Sequence, residues 1–226
     1  MSKDSLVEKY KKVFAGEEPI IRAGVPLKAS SSDRSQIKFW NGGAFTRQIV
    51  PELDEFLSER TSATILDYGC GPAQHLYINV KMDKTGKGYT TYSRYRTKIQ
   101  TYYCYDPGLP EYEKKPPVGW TFDCIISADV LEHIYEQDIP ATLQELYNYQ
   151  NKDGLAILSI SAMPSYNGCM FADGTDPHVT IKPLDWWLDK IDKVYVDKKY
   201  VVVYDMPKPG GDFDNKREFI TIIRKN

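Results

Sequence analysis

The chain has 226 residues, of which 42% are apolar, enough for one sizeable core, since domains usually run to roughly 100–200 residues. Its 29 basic and 31 acidic side chains nearly cancel, so no long-range field gathers polyanions, and nucleic acid is not an expected partner. No leader, transit peptide or run of about 18 apolar residues is read, which argues against a membrane role and makes the cytoplasm the expected location.

A single domain spanning 1–226 is expected, with residues 1–44 as an N-terminal lead-in. Leu6, Val7, Tyr10, Val13 and Phe14 give a short amphipathic start, read as a helical turn or two, and the polar tract Ala29 to Asp33 reads as flexible. From Phe45 to Leu57 the apolar positions Phe45, Ile49, Val50, Leu53, Phe56 and Leu57 recur at helical spacing, with Pro51 placed to open the regular helix. Ala63 to Tyr68 is the first long strand, stopped by Gly69-Cys70-Gly71-Pro72. Residues 77–112 hold eight of the seventeen tyrosines, and 77–103 is read as an insertion. It is either a surface hairpin around Asp83 to Gly88 or an aromatic wall for a substrate.

Thr101 to Asp106 reads as a second strand and Phe122 to Asp129 as another, with Val130 to His133 starting a helical turn. A helix over about Asp138 to Gln150 follows, with Asp138 as its N-cap and Pro140 in its first turn, and Leu155 to Ile160 is a continuous apolar strand of the buried parallel type. Trp186 and Trp187 begin a helix after Pro183, read as core packing ahead of a substrate lid. Tyr200 to Tyr204 and Glu218 to Ile223, joined by a Pro/Gly/Asp loop, form an antiparallel hairpin. The order implies an α/β fold with a doubly wound, mostly parallel sheet whose final pair runs against the rest. Cys70, Cys104, Cys124 and Cys169 lack CxxC spacing, so reduced, mostly buried thiols are expected, and no metal site is read.

In an open α/β sheet a ligand lies outside the carboxyl ends of the strands, where Gly69 and Gly71 allow close backbone approach. A dinucleotide fingerprint should continue to a third glycine, but position 74 is Gln, and Asp67 stands inside the strand where that fingerprint is apolar. An acid just before the glycines suits a cationic ligand without phosphate. Asp106 closes the next strand and could accept hydrogen bonds from two ribose hydroxyls, and Asp129 ends the strand after that and faces the same crevice. Each acid could instead cap the element that follows it.

At this point Ile65 to Pro72, Tyr105-Asp106-Pro107 and Phe122 to Ile134 together resemble the class I S-adenosylmethionine-dependent methyltransferases. Cys104 to Pro107 and His178 to Pro183 resemble a bacterial and phage branch of them. The resemblance covers about residues 45–226 and implies a Rossmann-like fold, S-adenosylmethionine as cofactor and binding by Asp67, Tyr68, Gly69, Gly71, Asp106, Pro107, Asp129 and Val130. Two departures stand out: Ala73 replaces the usual third glycine, and Gly108 to Trp120 leaves the usual third strand shortened or missing. The expected reaction moves a methyl group to an oxygen or nitrogen of a small molecule, with oligomeric state open. The alternatives are a non-catalytic module that binds the cofactor and an NAD(P)-dependent oxidoreductase. If the acceptor must lose a proton, His178 and His133 are the candidate bases, ahead of His75; a loop-stabilising or packing role is the alternative for each.

Overall fold

The structure, a computed structural model, describes residues 3–27, 50–71, 79–82, 88–90, 96–165, 168–196, 198–205 and 218–225. The Ala29 to Asp33 tract, Phe45, Ile49, Ala73, Gln74, His75 and the 206–217 loop lie outside the described residues. Its centre is a six-stranded sheet in the order β10-β11-β8-β7-β3-β6. Here β3 is Ala63–Tyr68, β6 Ile99–Tyr105, β7 Phe122–Ala128, β8 Gln150–Ser161, β10 Lys198–Asp205 and β11 Glu218–Lys225. β6, β3, β7 and β8 pair in parallel, as expected. β11 lies between β8 and β10, antiparallel to both. That corrects the expectation for the terminal pair: β11 alone runs against the parallel strands, and β10 points the same way as β8.

Successive strand residues face opposite sides of a sheet, and here both sides are dry. On one side Ile65, Cys124, Ile126, Leu155, Ile157 and Ile222 pack with Leu53, Phe56 and Leu57 of α2 (Val50–Ser58). On the other, Leu66, Ile125, Ala156 and Leu158 meet Leu143 and Leu146 of α3 (Ile139–Tyr149) and Trp187 and Ile191 of α4 (Leu184–Val194). Trp187 is wholly buried, in keeping with core packing, while Trp186 is half-buried with the ammonium groups of Lys182 and Lys190 over its ring. Asp138 is the N-cap residue of α3, as expected, and closes a 3-10 turn over Glu136–Asp138, but its side chain makes no capping hydrogen bond.

The N-terminal segment is more ordered than expected. α1 (Lys3–Phe14) is a three-turn helix whose Leu6 and Val13 are buried with Ile20 and Phe171. After it, β1 (Ile20–Arg22) and β2 (Val25–Leu27) form a hairpin, and β1 also pairs with β9 (Met170–Phe171). Ala23 and Gly24, both at positive φ (50° and 77°), make its two-residue turn, the geometry that matches strand twist. β4 (Asn79–Met82) and β5 (Gly88–Thr90) pair as a separate antiparallel hairpin. The last five residues expected in the Tyr-rich insertion belong instead to β6, which begins at Ile99. Among the described residues no strand occurs between Asp106 and Phe122, so β6 is the sheet edge and the third strand is missing there. All four thiols are free, those of Cys70 and Cys124 buried and those of Cys104 and Cys169 half-buried.

Candidate functional site

The chain leaves β3 for β6 on one side and reaches β7 on the other, which makes the carboxyl end of β3 the topological switch point. The glycine turn sits there. Gly69 has φ +78°, and a Cβ at this position would run into both methyl groups of Val130, so the turn and β7 close on each other only without a side chain. Gly71 has φ +51°, and no atom of the described residues lies within 4 Å of where its Cβ would be. The N–H groups of Gly69 and Cys70 both donate to the Tyr105 carbonyl, at 2.7 and 3.1 Å, and lock the turn onto the end of β6.

Asp106 completes that cradle. Its Oδ2 accepts the Gly71 N–H at 2.9 Å and its Oδ1 the Gly108 N–H at 2.8 Å, and each carboxylate oxygen has a second lone pair. Burial raises its pKa above the ordinary carboxylate value; the two N–H donors lower it, and the nearby Asp67 raises it. The two acids therefore share one end of the sheet. The β3–β6 register sets Asp67 beside Cys104, and alternation carries positions 102, 104 and 106 onto one face. Asp67 is 1% exposed and accepts the Tyr102 hydroxyl at 2.9 Å, so it lies beneath the turn rather than at its rim.

The remaining expected binding residues divide. Asp129 ends β7 in a left-handed conformation, φ +55°, which costs a non-glycine residue on the order of 1 kcal/mol. Its N–H donates to the Ser159 carbonyl at 3.0 Å, and its Oδ1 accepts the Ser159 hydroxyl at 2.9 Å. Val130 covers Gly69, and Pro107 is half-buried in the turn after β6. Tyr68 differs: its ring packs on Tyr105, 5.0 Å between centroids, within the core under α3 and α4, leaving its main chain beside the turn.

His133 and His178 are brought together, their rings 4.7 Å apart and edge to face at 88°. His133 closes a 3-10 turn over Leu131–His133, and His178 comes from the segment after β9. Two main-chain bonds join these segments: the N–H groups of Val179 and Thr180 donate to the Glu132 carbonyl at 2.9 and 3.0 Å. Asp176 organises the same segment by accepting the Ser165 hydroxyl at 2.6 Å and the His178 N–H at 2.8 Å. Nδ1 of His178 faces the Met163 carbonyl at 2.6 Å, and Nδ1 of His133 faces the Pro177 carbonyl at 2.9 Å. Burial first, and then the neighbouring His178, push the His133 pKa down to about 3 against the pull of the Pro177 carbonyl, so this imidazole is neutral at pH 7 and a weak base.

Sequence reasoning missed three residues here. Tyr10 of α1 places its hydroxyl 2.7 Å from His133 Nδ1, and its Cβ lies 3.0 Å from where a Gly108 Cβ would be, so α1 touches both the turn after β6 and the turn after β7. Its helical spacing marked a buried face but not what that face meets. Glu132 is wholly buried, with Oε1 accepting the Ser161 N–H at 3.1 Å; an acid beside a histidine in an otherwise apolar stretch was its only signal. Asp176 had none.

A family model described as a methyltransferase domain matches residues 43–195, and the chain belongs to that family. It is accordingly an S-adenosylmethionine-dependent methyltransferase of class I. Its fold is similar to the crystal structure of Burkholderia thailandensis 1,6-didemethyltoxoflavin-N1-methyltransferase with bound 1,6-didemethyltoxoflavin and S-adenosylhomocysteine. That similarity has a TM-score of 0.58 at 13% identity and covers 100% of this chain and 91% of the other. An S-adenosylmethionine-dependent methyltransferase from Archaeoglobus fulgidus gives 0.53 at 12% identity, covering 85% and 100%. DszA carbon methyltransferase gives 0.52 at 16% identity, covering 80% and 54%. No curated protein sequence matches the chain. No helix among the described residues is long and apolar enough to cross a membrane.

Proposed function

We propose that this enzyme transfers the methyl group of S-adenosylmethionine to an oxygen or nitrogen of a small molecule. In this reading the cofactor lies across Asp67, Tyr68, Gly69, Gly71, Asp106 and Pro107, with Asp129 and Val130 on the β7 side. The carrying observation is Asp106, whose two oxygens are oriented by the Gly71 and Gly108 N–H groups at the switch point. Tyr68 contributes through its main chain, since its ring is committed to the core.

Methyl transfer from a sulfonium is an in-line displacement: the acceptor lone pair forms the new bond to carbon as the carbon–sulfur pair returns to sulfur, and the positive charge passes from sulfur to the acceptor, which sheds it with a proton. The protein's main work is then alignment and exclusion of water. A hydroxyl or ammonium acceptor also gives up a proton. His178 is assigned to receive it, with His133, a weak base, as a positioning residue beside it. A small acceptor, rather than a nucleic acid, is supported by the near balance of 29 basic and 31 acidic side chains.

Calorimetry with S-adenosylhomocysteine tests the cofactor site: the expected result is saturable binding by the intact chain and loss of at least tenfold in affinity in Asp106→Ala. Equal affinity in the two proteins would remove Asp106 from the site.

A further inference from the structure

The acceptor side of this crevice carries a ligand set that methyl transfer itself does not require. Glu132, His133 and His178 offer one carboxylate oxygen and two imidazole nitrogens that lie within 4.8 Å of one another. We infer that these three side chains bind a first-row divalent cation, such as Mn2+, Co2+ or Zn2+, with open positions for an oxygen of the methyl acceptor.

The first argument is the proton inventory. A carbonyl oxygen has only lone pairs, so the ring nitrogens facing the Pro177 and Met163 carbonyls, Nδ1 in both histidines, carry the protons. The Tyr10 hydroxyl then accepts from the same Nδ1 of His133. Each Nε2 is thereby left with a lone pair. Metal-bound histidines nearly always show this arrangement, one nitrogen donated to a carbonyl and the other to the ion. Glu132 is anchored in the same way, one oxygen fixed by the Ser161 N–H.

The second argument is geometry. Three ligand atoms at roughly 2.0–2.2 Å from one ion stand about 3–4 Å from one another, so a set already within 4.8 Å closes on an ion by side-chain shifts on the order of 1 Å. Two imidazoles and one carboxylate favour manganese, iron, cobalt or zinc over magnesium and calcium, whose ligands are mostly oxygen. Three protein ligands leave coordination positions for water or substrate.

The location of this site on the acceptor side rests on the methyl-transfer reading; the cation site itself does not. With an ion bound, His178 is a ligand, and the ion rather than the imidazole lowers the proton affinity of a coordinated acceptor oxygen. Loss of turnover in His178→Ala is expected on either account, so the test reads the cation directly. The intact chain, stripped with EDTA and dialysed, is titrated with Co2+ and followed by visible d–d absorption, with Mn2+ followed in parallel by electron paramagnetic resonance. The expected result is saturation at one ion per chain, and at least a tenfold weaker affinity in Glu132→Gln and in both His178→Ala and His178→Gln, each checked for a wild-type circular dichroism spectrum. The His178 variants keep the test decisive should the Glu132 variant fail to fold. No saturable absorption from the folded chain up to millimolar Co2+, or unchanged affinity in the His178 variants, overturns the site. Calorimetry with S-adenosylhomocysteine on the same stripped protein separates the two readings: cofactor product binding without cobalt binding removes only this inference, and the reverse removes only the cofactor cradle.

Discussion

The Tyr10 hydroxyl lies 2.7 Å from Nδ1 of His133, which joins the first helix of the chain to the turn that follows β7. The same ring stacks edge-on against Phe171 and His133, at 5.1 and 5.8 Å between centroids. Tyr10→Phe keeps those contacts and removes the hydroxyl alone. The expected outcome is a fall of about 0.5–1.5 kcal/mol in stability by denaturant titration, the range of one hydrogen bond. Turnover is expected to drop while affinity for S-adenosylhomocysteine stays within twofold, because the hydroxyl orients His133 and not the cradle. A variant with wild-type turnover would leave Tyr10 as packing only.

Gly69 and Gly71 both have positive φ, yet substitution should harm them in different ways. Gly69→Ala places a methyl against Val130, so the turn must move; a loss of about 1–3 kcal/mol is expected, from overpacking and the left-handed backbone together. Gly69→Ala combined with Val130→Ala should recover part of it. Gly71→Ala meets no atom of the described residues within 4 Å. It should lose only about 1 kcal/mol, yet at least tenfold in affinity for S-adenosylhomocysteine, because the new methyl projects into the space proposed for the ligand. Thermal melts and calorimetry on the three variants separate the effects.

The parallel centre of the fold was legible because a strand buried on both faces is a mostly apolar run, and Ala63 to Tyr68, interrupted by Thr64 and Asp67, and Leu155 to Ile160, interrupted by Ser159, are such runs ended by turn or polar residues. The switch point was legible because Gly69 and Gly71 follow one of them directly. What pairs with a strand is less local. β10 and β11 read correctly as a hairpin, but nothing in their residues says that β11 inserts beside β8 and leaves β10 at the edge. Tyr68 shows the same limit in the other direction: it stands in the binding motif, while period-two alternation from buried Leu66 already sends its ring into the core. The Ala23-Gly24 turn between Ile20-Ile21 and Val25-Pro26-Leu27 was readable as a hairpin, and the charged, Pro- and Ser-rich composition around it masked it. The cluster of Tyr10, His133 and His178 was least legible, since these residues meet only through tertiary packing.

Asp106 spends one lone pair of each oxygen on main-chain N–H groups, so its replacement acts on the turn as well as on any ligand. Asp106→Asn keeps the shape but turns one acceptor into a donor facing either Gly71 or Gly108, and a loss of about 1–3 kcal/mol in stability is expected. Asp106→Ser is the contrasting variant: it removes both acceptors and leaves room. If Asp106 holds ribose hydroxyls, both variants lose at least tenfold in affinity for S-adenosylhomocysteine. If it only shapes the turn, their affinities recover at low temperature, where the turn is refolded, and calorimetry at two temperatures distinguishes the outcomes.

Asp123 offers a pH test away from the site. Burial pushes its carboxyl up, but the Thr64 N–H at 2.8 Å, the Asn151 amide at 3.0 Å, the Thr64 hydroxyl at 3.0 Å and the Arg60 guanidinium outweigh it, and the folded-state pKa is lowered. A carboxyl with a lowered folded pKa adds stability that is fully present above its unfolded pKa, about 3.9, and is lost as pH falls through the folded value. These bonds tie β3 to β7 and to the start of β8, so the loss is felt by the whole sheet. Asp123→Asn should therefore melt below the wild type at pH 7, and the gap should narrow as pH drops below about 4, where the wild-type carboxylate becomes protonated and loses its advantage. Melting curves from pH 7 to 3 check this; a gap that stays constant across that range would mean that the charge of Asp123 contributes nothing beyond the geometry of its hydrogen bonds.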